Sequence, residues 1–213
     1  EAKGIPVVAF NAGGDAWQQM GVKEFFGQDE FIAGQAAGDR LKQEGATKVL
    51  CVIQEQGHVG LEDRCAGVKS NFPATENLNV NGKDMPSVES TMTAKLQQDP
   101  SVDYVVTLGA PFALTAVQSA KNAGSDAKIG TFDTNAALVG AIQDGSVQWA
   151  VDQQPFLQGY LSIDSLWLYD HLYSPGMPDY PSMEAWTLAT ALLACTERLR
   201  VGHMVLCNQF RHP

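Results

Sequence analysis

Two stretches decide the fold: Lys128-Ile-Gly-Thr-Phe-Asp-Thr-Asn135 and Val151-Asp-Gln-Gln-Pro155. In each, a short apolar run ends in polar residues and a helix-like segment follows. Ile129, Thr131 and Phe132 read as a buried strand, with Asp133 and Asn135 at its carboxyl end, where a helix containing Ala136, Leu138 and Ile142 begins. Ser146-Val-Gln-Trp-Ala-Val-Asp152 reads as a second strand closed by Gln153 and Gln154, and Pro155 stands where it can open another helix. In an open parallel α/β sheet, ligands bind beyond the carboxyl ends of the strands. A carboxylate and an uncharged amide delivered there by adjacent strands suit a neutral polyhydroxylated ligand. No nucleophile or metal-ligand cluster accompanies them.

Outward from this pair the alternation repeats. Gly4 to Asn11 reads as a buried strand closing in the turn Asn11-Ala-Gly-Gly14. Gln28-Asp29 caps a helix with apolar Phe31, Ile32, Ala36, Ala37 and Leu41 at helical spacing. A strand over 48–53 leads through the loop Gln56-Gly-His-Val-Gly60 into a helix carrying Arg64, Val68 and Phe72. A polar strand and turn over 77–82 comes next, then an amphipathic helix over 87–98 and a strand over 102–107. Gly109-Ala-Pro111 turns into a helix reaching about Ala123, and a long helix is expected from Pro155 to about Tyr169. Strands alternating with helices in five units from residue 28 predict an α/β, doubly wound parallel sheet. Beyond Tyr169, Ser174-Pro-Gly-Met-Pro-Asp-Tyr-Pro181 signals a boundary. Met183 to Leu193 then reads as a helix and Val201 to Cys207 as a strand, a tail too small to bury a core alone.

The 213 residues are 45% hydrophobic and 18% charged, enough for one large or two small domains with a real core. A net charge of -10 disfavours nucleic acid and anionic membrane as partners. No apolar run approaches the ~20 residues of a membrane span. The chain enters a strand almost at once, so it reads as a piece of a longer protein whose export signal, if any, lies upstream. Four cysteines fit no zinc spacing. Cys51 on a strand and Cys65 on the following helix are placed either for a disulfide, which would imply an oxidising compartment, or for two ordinary buried thiols.

Several stretches carry a resemblance over residues 1 to about 169. They are Ile5-Pro-Val-Val-Ala-Phe-Asn11, Gly27-Gln-Asp-Glu-Phe-Ile-Ala-Gly34, Asp63-Arg-Cys-Ala-Gly67, Thr107-Leu-Gly-Ala110, Gly130-Thr-Phe-Asp133 and Asp152-Gln-Gln-Pro155. In this order and spacing they resemble the second half of type I periplasmic sugar-binding proteins, the ribose-binding-like receptors of ABC importers. The resemblance implies a non-enzymatic receptor that needs no cofactor, closes two lobes on a sugar and docks to a permease, in a periplasmic or membrane-anchored extracellular setting. It implies ligand contacts from Asn11 in the first lobe and from Arg64, Asp133 and Gln153 in the second, and it favours the Cys51–Cys65 disulfide. It divides the chain into 1–27, the end of the first lobe and hinge; 28–169, the second lobe; and 170–213, a tail. Gly109 departs from the polar residue many relatives carry there, and Gln56 and His58 fall on a loop that faces the cleft in the family, so the sugar stays open.

The tail resembles another family. Asp164-Ser-Leu-Trp-Leu-Tyr-Asp-His-Leu172, Met183-Glu-Ala-Trp-Thr187, Thr196-Glu-Arg-Leu-Arg-Val-Gly202 and Cys207-Asn-Gln-Phe-Arg-His-Pro213 look like the opening of a luciferase-like, flavin- or deazaflavin-dependent oxidoreductase. In such a barrel His171 and Asn208 would line the flavin pocket, but the phosphate-binding loops are missing. The expectation is a chimeric chain joined near 164–169. A lactose-repressor-type regulator would share the receptor fold but needs a DNA-binding helix-turn-helix, which these residues do not contain.

Each candidate also has a plainer role. Asp133 competes with helix N-capping; strand-end placement and the resemblance favour ligation. The register favours Gln153 over Gln154 for the cleft. Arg64 is balanced between the ligand and a solvated pair with Glu62 or Asp63. Trp149 is assigned to the core before a sugar-stacking role, and His58 to its loop before a metal. Asp170-His171 near Glu184 lacks a pocket, the face of Met183, Trp186 and Leu193 is packing, and Asn11-Ala-Gly-Gly14 is not a nucleotide fingerprint.

Overall fold

The computed structural model describes residues 7–165 and the short segments 168–169, 173–174, 177–181 and 203–205. Two compact units result: Gln28–Gln154, and the flanking Glu1–Gly27 with Pro155–Pro213.

In the first of these, five strands form one parallel sheet: β3 Val49–Ile53, β4 Thr75–Asn79, β5 Tyr104–Thr107, β6 Lys128–Phe132 and β7 Trp149–Val151, in the order β4-β3-β5-β6-β7. The register sets Val49 against both Thr75 and Tyr104, and Tyr104 against Lys128. β3 is buried along its whole length, as expected of an apolar run covered on both faces. Its side chains alternate: Leu50 and Val52 join one core, Val49, Cys51 and Ile53 the other. Helices α1 Glu30–Gln43 and α2 Val59–Asn71 cover one face, and α3 Met85–Gln98, α4 Ala110–Ala123 and α5 Ala136–Gln143 the other. The sheet is doubly wound.

Local chemistry sets the ends. Asp29 caps α1 by accepting from the Ile32 N–H at 2.9 Å. Asp84 does the same for α3, starting it at Met85 rather than at the expected residue 87. α4 ends on Gly124 at φ 66°, a left-handed C-cap that glycine adopts without strain.

Three expectations are corrected. The buried stripe of α1 is Ala33, Gly34, Ala37, Gly38 and Leu41, whereas Phe31, Ile32 and Ala36 are exposed. Small residues face α2 because the two backbones touch. An alanine Cβ at Gly34 would fall 2.1 Å from the Arg64 carbonyl oxygen, and one at Gly67 would fall 2.1 Å from that of Phe31. In the second unit, β1 Val8–Asn11 pairs in parallel with β2 Glu24–Gly27, and Phe10 is 57% exposed rather than buried. Lastly, α6 Pro155–Ser165 packs on β1 and β2 and so leaves the sheet unit that was expected to reach residue 169. Residues 168–169, expected as the helix end, form a short strand β8 Leu168–Tyr169. It pairs with β11 His203–Val205, inside the strand expected over 201–207. β9 Tyr173–Ser174 and β10 Met177–Pro181 pair antiparallel. The helix expected over 183–193 lies outside the described residues.

Candidate functional site

Asp133 follows β6 directly, with its N–H donating to the Val151 carbonyl at 3.0 Å and its backbone at φ 63°. Aspartate is among the few residues that accept this left-handed conformation. The competing role of helix cap is taken by Asn135, whose side-chain oxygen accepts from the Leu138 N–H at 2.8 Å. Asp133 Oδ1 instead accepts from Nε2 of Gln153 at the end of β7. Gln154 is exposed at φ 51°. Burial pushes the Asp133 carboxyl above the usual carboxylate range. Arg64 and Gln153 pull it partly back, and the neighbouring Asp152 adds to the rise.

Arg64 comes from α2. It is 5% exposed, on the sheet-facing side of α2 with Leu61, Cys65 and Val68. Arg64 is thus not on a solvated face, and Glu62 accepts the Gly57 N–H at 2.8 Å. Arg64 Nε and Nη2 grip the Glu30 carboxylate at 2.5 and 2.9 Å, and Nη1 donates to the Leu108 carbonyl at 3.3 Å. The guanidinium carbon lies 4.9 Å from the centroid of the Phe132 ring, a cation–π arrangement. Of its five N–H groups, these bonds use three, leaving one on each terminal nitrogen for a hydroxyl.

Glu30 is the residue that sequence reasoning missed. In the first turn of α1 it looks like an ordinary acidic complement to the helix dipole. Its partner is 34 positions away, and the only hint is the glycine pair Gly34 and Gly67 that lets α1 and α2 cross at backbone contact. Cys51 and Cys65 form a disulfide with Cα atoms 5.9 Å apart, both fully buried. It anchors α2 to β3 one residue after Arg64. His58 caps α2 through Nδ1, 3.4 Å from the Leu61 nitrogen. Trp149 packs over bare Gly130 and stacks on Tyr104 with ring centroids 6.1 Å apart, so it belongs to the interior. Of the four expected contacts the structure brings Arg64, Asp133 and Gln153 together; Asn11, at φ 69°, belongs to the other unit.

A family model described as the periplasmic binding protein domain matches residues 1–170. The chain belongs to this family. Its members are periplasmic or extracellular binding proteins. Among solved structures, a carbohydrate transporter from Acidothermus cellulolyticus in complex with myo-inositol is 57% identical. It covers 78% of this chain and 59% of its own, at a TM-score of 0.76. A periplasmic sugar-binding protein from Legionella pneumophila is 28% identical over 76% of this chain and 63% of its own, at a TM-score of 0.67. A xylose/arabinose-binding protein from Sulfolobus acidocaldarius is 25% identical over 78% of this chain and 46% of its own length. The chain thus spans from about half to under two thirds of these relatives. The luciferase-like reading of the tail finds no support among them, and its residues His171 and Asn208 lie outside the described residues.

Proposed function

We propose that the chain provides the second ligand-binding lobe of a solute receptor that delivers a neutral sugar or cyclic polyol to an ABC-type importer. The observation carrying this reading is the polar group at the carboxyl edge of the sheet. A carboxylate released from capping, an amide bonded to it and a buried, braced guanidinium offer acceptors and donors side by side. Vicinal hydroxyls, each both donor and acceptor, match such a set. By its resemblance to these receptors, the chain would also use Asn11. The receptor performs no chemistry and needs no cofactor; closure around the sugar would present it to a permease. The relatives' names support the ligand class, and the family and the disulfide support a periplasmic or extracellular home.

A thermal-shift panel of pentoses, hexoses and inositols tests the reading. A ligand that binds only the folded state raises Tm by mass action. One sugar or cyclitol is expected to raise it, and Asp133→Ala is expected to remove the shift. Indifference to the whole panel at concentrations up to tens of millimolar would reject the reading.

A further inference from the structure

Next to the Arg64–Asp133–Gln153 group, the carboxyl end of β5 is bare. Gly109 follows Leu108, the residue whose carbonyl holds Arg64, and its extended backbone at φ -171° does not require glycine. A Cβ there would sit 3.4 Å from the Phe112 ring, an ordinary contact, and 3.8 Å from Nε2 of Gln54. The Gln54 carboxamide, reaching across from the end of β3, borders the space above Gly109. Its Oε1 is buried with no hydrogen-bond partner among the described residues, which costs free energy unless something else supplies a donor. The same side chain lines an open groove of about 640 Å³ together with Gln56, Asn79, Asn81, Lys83 and Phe112.

Resting on the receptor reading, we propose that Gln54 is a further ligand contact and the specificity-determining residue at the far edge of the site. A ligand lying over β5 meets Asp133 and Gln153 from β6 and β7 on one side and Gln54 from β3 on the other. The backbones of β3 and β6 are two strand spacings apart, about 10 Å, and those of β3 and β7 three. Side chains reaching inward from both edges bring their polar atoms closer together than that, so the class of ligand is a cyclitol or a pyranose, one small ring carrying hydroxyls on opposite edges. The hydroxyl facing Gln54 donates to the orphaned Oε1. Gly109 keeps the floor between the two edges free of side chain.

The test is a titration of the ¹⁵N-labelled chain with myo-inositol, D-xylose and L-arabinose, reading side-chain amide signals assigned by their loss in Gln54→Ala and Gln153→Ala. The expected result is that at least one of these polyols moves the Gln153 and Gln54 signals together, with the Gly109 N–H. Gln54→Leu should then weaken that polyol about three- to tenfold, the effect of one neutral hydrogen bond, with Tm of the unliganded chain unchanged or raised as the orphaned Oε1 is removed. A polyol that moves Gln153 and leaves Gln54 in place overturns this proposal while sparing the receptor reading. Polyols that move neither signal overturn both.

Discussion

On one face of the five-stranded sheet, α3, α4 and α5 meet the strands through Val88, Met92, Leu96, Ala113, Ala116 and Leu138, an ordinary apolar core. On the other face α1 and α2 bury Leu41, Cys51, Cys65 and Val68, but also a charged pair, a disulfide and a glycine crossing. Both layers cover the same strands, so covering the sheet does not require the second set of devices. They share one address, the N-terminal half of α1 and the middle of α2, where the two helices cross. The apolar layer accounts for stability alone; the α1–α2 layer also holds Arg64 in one place.

The largest effect expected from breaking that contrast comes from Glu30→Ala. Arg64 would remain buried without its bidentate partner, its charge offset only in part by Asp133, which costs up to about 3–5 kcal/mol. Met92→Ala in the opposite layer is expected to cost a comparable amount, about 2–5 kcal/mol, through its cavity. Urea denaturation should find both variants destabilised. Titration of the folded fraction with the polyol that stabilises the parent chain should find binding lost only in Glu30→Ala. Equal binding losses would mean that the two layers do not divide the work.

Next comes the disulfide. It closes a loop between positions 14 apart, and opening it by Cys51→Ala with Cys65→Ala should cost about 3 kcal/mol. The loop carries Gln54 and His58 and ends beside Arg64, so polyol affinity should fall along with the urea midpoint. A variant that loses stability and keeps full affinity would reduce the bridge to a staple.

Gly34→Ala follows, at about 1–3 kcal/mol or more, because a Cβ 2.1 Å from the Arg64 backbone carbonyl oxygen forces α1 away from α2 at the expense of the Glu30 grip. Comparing its affinity with that of Gly140→Ala, at a glycine with open space around it, isolates the crossing from helix propensity.

What the sequence revealed follows the same division. Strand–helix alternation is written in short-range periodicity, and so the order of β3 to β7 and of the helices between them was legible. Asp133 and Gln153 were legible too, because a strand end is a local feature. The partner of Arg64 was not: nothing local to Glu30 separates a buried ion pair from a dipole complement. The α1 face was misplaced for a related reason. Hydrophobic periodicity favours Phe31 and Ile32, whereas a crossing at backbone distance selects Gly34 and Gly38. Phe10 looked like a core residue because its strand is apolar, and periodicity does not count how many strands stand beside it.

The smallest effect tests the site itself. Burial raises the folded-state pKa of Asp133 above its unfolded value, so between the two the native state holds more of the proton. Stability then falls as pH rises through that window, and above the folded-state pKa the whole penalty is present. An asparagine in its place would remove the buried charge while tolerating φ 63° as aspartate does. Asp133→Asn is therefore expected to match the parent near pH 3, below the unfolded aspartate pKa of about 3.9, and to be the more stable chain at pH 7, by less than about 1 kcal/mol. Melting curves across that range check the sign. A variant less stable at neutral pH would mean that the Gln153 and Arg64 interactions outweigh burial. The expected outcome, higher stability with weaker polyol binding, would mark Asp133 as a charge kept at a structural cost for the ligand, which no residue of the apolar layer is.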